Sequence, residues 1–320
     1  EPFNNVDLSG KTVSNSYAYH TLDRAIDAVS DPEAVPANIL TMPGITNKGL
    51  TQKLIDVAEE RADTLAIIDI ENVYTPRTEA TTSFKDRLGK VTDAVTSLND
   101  RDINSSYACA YYPWVQIQDP LNRQRVWVPP SVVALGTFAS SDAKSAVWFA
   151  PAGFNRGGLS DPKTAGMRVL RVSERVVSKD RDRLYTANIN PIAKFPNEGI
   201  VVFGQKTLQM TPSALDRINV RRMMIYVKKE ISKIAARILF DQNVQVTWDR
   251  FKAQADGFLS SVKSSLGVSA YKIVLDETTT TPDLIDRNIL YAKIYLKPAR
   301  AIEFIAIDFI ITRTGASFDD

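Results

Sequence analysis

The sequence predicts an α/β protein built on an open parallel sheet with helices on both faces, with a long helix and two long strands toward its C-terminus. Three observations carry that prediction. Between Asn38 and about residue 140, short continuous apolar runs alternate with amphipathic runs, the rhythm of a sheet covered by helices on both faces. From Ser213 to Phe240, Val220, Met224, Val227, Ile231, Ile234 and Ile238 recur at alternating spacings of four and three, one stripe of a long helix. The C-terminus reads as two long strands, Tyr291–Lys297 and Ala301–Thr314, joined at Pro298-Ala299-Arg300.

Taken in order, Glu1 to about Ser16 is polar and irregular, and residues 1–37 read as an N-terminal linker segment carrying a short helix over Tyr17–Val29 that stops at Asp31-Pro32. Ile39–Met42 is a short buried strand ended by Pro43-Gly44, and Leu50–Ala62 a helix with Leu50, Leu54, Val57, Ala58 and Arg61 at helical spacing. Leu65–Ile70 is a continuous apolar strand, and Phe84–Leu98 a helix with Leu88, Val91, Val95 and Leu98 inward. Tyr107–Ile117 is the next strand, with Pro113 marking a bulge or a strand end. Pro129-Pro130-Ser131 opens a helix toward Ser140, and Pro151–Gly166 is a loop. Arg168–Val177 and Arg183–Ile189 are predicted strands around a charged turn at Lys179–Asp182. Gly199–Phe203 is a strand that leads through a loop into the long helix, expected to start near Ser213. Trp248–Leu266 is a further helix and Tyr271–Asp276 a strand. In Tyr291–Lys297, Tyr291, Lys293, Tyr295 and Lys297 face one way and Ala292, Ile294 and Leu296 the other. Ala301–Thr314 is almost wholly apolar and would be an aggregation hazard as a free edge, so it should be paired on both sides.

Composition excludes several function classes. The 320 residues suffice for one large or two ordinary domains. A net charge of +2 gives no bulk attraction to nucleic acid or an anionic membrane, so an electrostatic partner must be met by a local patch. No apolar run reaches the roughly 18–20 residues that span a bilayer, and no signal peptide is read at the N-terminus. Glu1 in place of Met suggests a trimmed chain. Cys109 is the only cysteine, which excludes an internal disulfide and fits assembly in a reducing compartment.

Catalytic and metal chemistry find no footing. His20 is the only histidine and stands in a tyrosine-rich polar segment with no nucleophile motif near it, so no catalytic residue is assigned. Neither G-x-S-x-G nor G-x-G-x-x-G is present, and Gly44–Gly49 lacks the Lys-Ser/Thr of a P-loop. One histidine and one cysteine, far apart in sequence, supply no zinc site, and no cofactor site is read. The acidic pairs Asp180/Asp182 and Asp276/Glu277 read as solvated loops, and Tyr111, Tyr112, Trp114, Trp127 and Trp148 as core in preference to a stacking platform. Arg222, Lys229, Lys233 and Arg237 fall opposite the apolar stripe of the long helix, and by periodicity alone they form a solvated face.

A set of short stretches in fixed order carries more. YYPW at 111–114, VPPS at 128–131, VWFAPAG at 147–153, LYTANINPI at 184–192, EGIVVFGQKTL at 198–208, DRINVRRMM at 216–224, ILFDQN at 238–243 and YLKPARAIEFIAIDFIITRTG at 295–315 together resemble the contractile tail sheath proteins of phages and phage-tail-like bacteriocins. The likeness runs from about Ile39 to Gly315. The chain starts without the family's usual N-terminal arm, and residues 155–183 match poorly.

The resemblance implies a subtilisin-like α/β sheath domain without a catalytic triad over residues 38–196 and an α+β sheath C-terminal domain over 197–320. It implies a structural subunit, not an enzyme, that polymerises around a tail tube and contracts to drive the tube through the host envelope. Its expected partners are neighbouring copies, the tail tube protein and the baseplate, with no nucleic acid and no membrane. Its expected place is the virion tail, assembled in the host cytoplasm. Ile302, Phe304, Ile305, Ile307, Phe309 and Ile311 become candidates for strand exchange between subunits, and Arg222, Lys229, Lys233 and Arg237 for a tube-facing basic wall. A sheath subunit of a related injection or secretion machine is the first alternative, and an α/β hydrolase-like enzyme the second.

Overall fold

The computed structural model describes residues 12–71, 73–75, 83–119, 121–160 and 168–303. The first helix is α1 (Tyr17–Ala28), capped by the Ser16 hydroxyl, which accepts from the Tyr19 N–H at 3.1 Å. Then come β1 (Ile39–Thr41), α2 (Lys48–Arg61), β2 (Leu65–Ile68), α3 (Val91–Asn99) and β3 (Ala108–Tyr112). β4 (Val115–Gln118), β5 (Arg125–Val128), α4 (Pro130–Lys144), β6 (Val169–Val172), α5 (Ser178–Thr186), β7 (Ile189–Phe195) and β8 (Gly199–Val202) follow. The C-terminal half holds α6 (Ile218–Ala236), α7 (Gln245–Ser264), β9 (Val268–Val274) and β10 (Lys293–Pro298).

A five-stranded sheet in the order β1-β2-β3-β7-β8 is the frame. Four strands run parallel, as the alternating pattern predicts, and β8 closes the edge antiparallel to β7. The two-residue side-chain period of its strands sorts them onto two cores. Ala66 and Ile68, with Ala108, Ala110 and Tyr112, face Ile26 of α1, Leu50 and Leu54 of α2, Leu98 of α3 and Leu184 of α5. Leu65 and Ile67, with Cys109 and Tyr111, face Val133 and Phe138 of α4 and Ile218 and Ile225 of α6. A third core joins Val220, Met223 and Val227 of α6 to Trp248, Phe251 and Leu259 of α7 and Val268 of β9.

Several expectations change. Tyr107–Ile117 is two strands: the chain turns at Pro113, and β4 leaves for a separate three-stranded antiparallel sheet, β5-β4-β6. The charged stretch Lys179–Asp182 lies inside helix α5, where a turn and a strand were expected. Residues 84–98 form a short 3-10 turn and then α3. β8, expected to open the second half, is hydrogen-bonded into the first sheet. The long helix starts at Ile218, after a 3-10 turn at Ala214–Asp216 that the Ser213 hydroxyl caps.

Candidate assembly interface

Helix α6 is the element on which the two halves meet. It contributes Ile218 and Ile225 to the core beneath the five-stranded sheet, and Val220, Met223 and Val227 to the core shared with α7. The apolar stripe continues as Met224, Ile231, Ile234 and Ile238, partly buried against the third core. Two apolar faces on one helix leave little of its first half to solvent.

That geometry corrects the uniform basic wall. Arg222 is only 7 % exposed: its Nη2 donates to Asp142 Oδ2 on α4, and its guanidinium lies 4.8 Å from the centroid of the Phe138 ring. Neighbouring Arg221 is also buried, with its guanidinium 3.9 Å from the Tyr107 ring centroid, and burial holds its pKa below the ordinary arginine value. Lys229 lies half-buried, donating to the Ala37 carbonyl, to Asn38 Oδ1 at 2.7 Å and to Asp63 Oδ2 at 3.2 Å. Burial works against the charge on Asp63, but hydrogen bonds from Arg61 and the charge of Lys229 outweigh it and hold the carboxyl below its usual range. Lys233 is 67 % exposed and paired with Glu230 at 2.7 Å, and Arg237 is exposed just past the helix end. Arg222 and Lys229 therefore tie α6 to the body, while Lys233 and Arg237 face outward together with Lys228.

The C-terminal pair β9 and β10 forms a two-stranded antiparallel sheet, with Tyr295 opposite Lys272 and Leu296 opposite Tyr271. Exposure alternates along β10 as the sequence predicts, with Ile294 and Leu296 turned to the third core and Lys293, Tyr295 and Lys297 outward. Among the described residues each strand has one neighbour, so both outer edges are open. Of the strand-exchange candidates, Ile302 is exposed, and Phe304, Ile305, Ile307, Phe309 and Ile311 lie outside the described residues.

Glu303 supplies a feature that sequence reasoning missed. Its Oε1 accepts from Arg217 Nε at 2.7 Å and from Gln205 Nε2 at 3.2 Å, and its Oε2 accepts from the Tyr185 hydroxyl at 2.8 Å. The point from which residues 304–320 continue is thus fastened to α5, to the loop after β8 and to the start of α6. The only hint in the sequence was one acid set in an apolar run, the Glu of PAR-x-I-E-F.

Tyr111, Tyr112 and Trp114 are core residues, as expected. Cys109 is fully buried, which pushes its thiol up to about 12, and it cannot serve as a nucleophile there. His20 is exposed, and among the described residues no group of acids, histidines and cysteines could hold a metal ion. Among them too, no helix is long and apolar enough to cross a membrane.

Residues 18–208 match the phage tail sheath protein central domain, and residues 210–312 the phage tail sheath C-terminal domain. The chain is 32 % identical over 305 residues to the tail sheath protein of Vibrio phage KVP40, covering 92 % of this chain and 44 % of that protein. It is 31 % identical over 326 residues to the tail sheath protein of Enterobacteria phage T4, covering 98 % of this chain and 48 % of that protein. The chain therefore spans about half the length of these curated relatives. The fold recurs in the sheath of an extracellular contractile injection system, PVC, in its contracted state, with a TM-score of 0.71 at 23 % identity over 89 % of this chain and 74 % of the other. It recurs in the anti-feeding prophage baseplate structure, with a TM-score of 0.69 at 21 % identity over 91 % and 74 %. With family matches over both halves and relatives above 30 % identity across nearly its whole length, the chain belongs to the phage tail sheath protein family.

Proposed function

We propose that this chain is the structural body of a contractile tail sheath subunit. Copies polymerise around a tail tube, and contraction of the assembled sheath, triggered from the baseplate, drives the tube through the host envelope. The match of both sheath domains in order along the chain is the observation that carries this reading. The reading places the subunit in the virion tail after assembly in the host cytoplasm, and it requires neither an active site, nor nucleic acid, nor a membrane. A subtilisin-like form for the five-stranded sheet is supported by its four parallel strands with helices on both faces. Two working units, expected at 38–196 and 197–320, are supported with a junction some ten residues later, because β8 pairs with β7 and the two family matches part between 208 and 210.

Subunits are joined by exchanged strands. The outer edges of β9 and β10, which have no further strand beside them among the described residues, and Ala301–Thr314, held to its own body at Glu303, are the donated and accepting segments. Backbone hydrogen bonds across such an edge make few demands on side chains, so the joint can hinge without parting. The tube is met by the outward basic residues Lys233 and Arg237, whose exposed charge attracts an acidic surface yet releases it more readily than a packed apolar interface would. A related injection machine is the second reading, supported by the fold shared with the PVC sheath.

Reversing Lys233 and Arg237 to Glu tests the tube contact. The variant is expected to fold normally and to lose tube-templated assembly, viewed as decorated tubes by negative-stain microscopy. Normal decoration of tubes by the folded variant would refute the contact.

A further inference from the structure

One residue in the hairpin between α6 and α7 is explained neither by packing nor by backbone preference. Phe240 has φ +70°, the left-handed region in which a β-carbon is disfavoured and which glycine or asparagine ordinarily fills after a helix. Its side chain is fully exposed. Beside it Leu239, Val244 and Val246 are exposed as well, and none of the four belongs to the core that α6 and α7 share. Glycine or asparagine at 240 would serve the fold as well or better. An aromatic ring held in solvent on a strained backbone is the arrangement of an interface anchor, which supplies contact area at small entropic cost.

Charge selects the partner. Lys233 and Arg237 are exposed on the approach to this tip, and Arg237 makes no ion pair among the described residues. The acid in the turn, Asp241, is taken up by Arg250. A second copy of the same tip would be repelled. The large cleft elsewhere on the chain, about 710 Å³, is lined by Arg156, Arg181 and Arg300 with Asp182 and Glu303; Glu303 is already taken up by Arg217, Gln205 and Tyr185, so three cations face one remaining acid and the cleft does not suit the tip either. The fitting partner is an acidic protein surface with an apolar pocket.

We propose that Phe240 is the apolar anchor of the tube contact: the ring seats in a pocket of the tube polymer while Lys233 and Arg237 meet acids around it. This rests on the sheath reading, and it adds a specific, packed contact to one otherwise made by charge. Phe240→Gly and Phe240→Asn remove the ring and suit the left-handed backbone, so the full chain should melt at or above the wild-type temperature. Co-pelleting of the purified chain with preassembled tube polymer from the same particle should weaken by about tenfold or more. Sedimentation velocity without tube should not change. Melting several degrees lower would make Phe240 a structural residue and overturn the proposal, as would lost self-association without tube, which would make the partner a second copy. If the Phe240 variants pellet like wild type while the Lys233→Glu/Arg237→Glu variant does not, the tube reading stands and the anchor falls. If wild type itself does not pellet, both fall.

Discussion

In the first turns of α6, Arg221 and Arg222 lie inside the protein, whereas at its far end Lys233 and Arg237 lie outside. The residues involved are chemically alike, and Arg222, Lys229, Lys233 and Arg237 share one side of the helix by sequence spacing. What differs is the surface opposite each. Asp142 and Phe138 of α4 stand beneath Arg222, and Ala37, Asn38 and Asp63 beneath Lys229. Among the described residues Lys233 has only Glu230 of its own helix. A helix that enters between two cores has no solvent face until it leaves them, so a basic residue near its start becomes an internal tie and one near its end a free charge. Removing members of the series one at a time tests this contrast.

The largest effect is expected at Arg222. Arg222→Ala leaves Asp142 without its cation and Phe138 without the guanidinium above it, and it opens a void at a site only 7 % exposed. Asp142 is itself a third exposed and keeps its contact with water, so the loss stays below that of a fully buried pair, at about 2–3 kcal/mol. Denaturant unfolding at neutral pH should register a loss of that size, while Lys233→Ala stays within about 0.5 kcal/mol of wild type. Equal losses at the two positions would abolish the distinction between tie and free charge.

The other end of α4 packs on a buried acid that pairs with no cation among the described residues. Asp69, 1 % exposed, accepts from the Gly44 N–H at 2.9 Å, the Ser131 hydroxyl at 2.7 Å and the Ser131 N–H at 3.2 Å, so it fastens the start of α4 to the loop after β1. Burial outweighs these hydrogen bonds and raises its pKa to about 6. Below pH about 4 the carboxyl is protonated in both folded and unfolded chains, and between about 4 and 6 only the folded chain keeps the proton. Its contribution therefore declines as pH rises through that window and is level above it. Measured against Asp69→Asn, wild-type stability should fall by about 2 kcal/mol from pH 4 to pH 7. A constant difference would mean that Asp69 is not held protonated by the fold.

The same contrast explains what could be read from the residues alone. Leu65–Ile70 was legible because a strand covered on both faces reads as a continuous apolar run, and the stripe on α6 because its period reports the face packed on the third core. Helix α5 was not, because only Leu184 is buried on it and its charged turns look like a loop. The switch of sheets at Pro113 was half legible: a break was expected, but a change of partner leaves no local trace. The site fared worse. Spacing placed four basic residues on one side, but whether that side meets Asp142 or water depends on chain folded from 80 residues away. The Glu303 clamp and the strained Phe240 were invisible for the same reason, since three donors from distant elements and the sign of a φ angle leave no compositional mark.

Lys229 stands between the extremes and should behave so. Lys229→Met keeps the stem and deletes the ammonium, leaving the Ala37 carbonyl and Asn38 amide without that donor, while Asp63 keeps Arg61 at 2.8 Å. Because Asp63 retains this partner, the loss at neutral pH should be about 1 kcal/mol, between those of Arg222 and Lys233. The acid limb gives an independent reading. Asp63 is depressed in the folded chain, so its contribution is present above its unfolded pKa and lost as pH falls through the lower folded value. Without Lys229 the depression is smaller, so the gap between variant and wild type should narrow below pH about 4, as the stabilised carboxylate is protonated in both. A gap that persists unchanged at pH 2 would assign Lys229's role to its hydrogen bonds with Ala37 and Asn38 and leave the charge of Asp63 out of it.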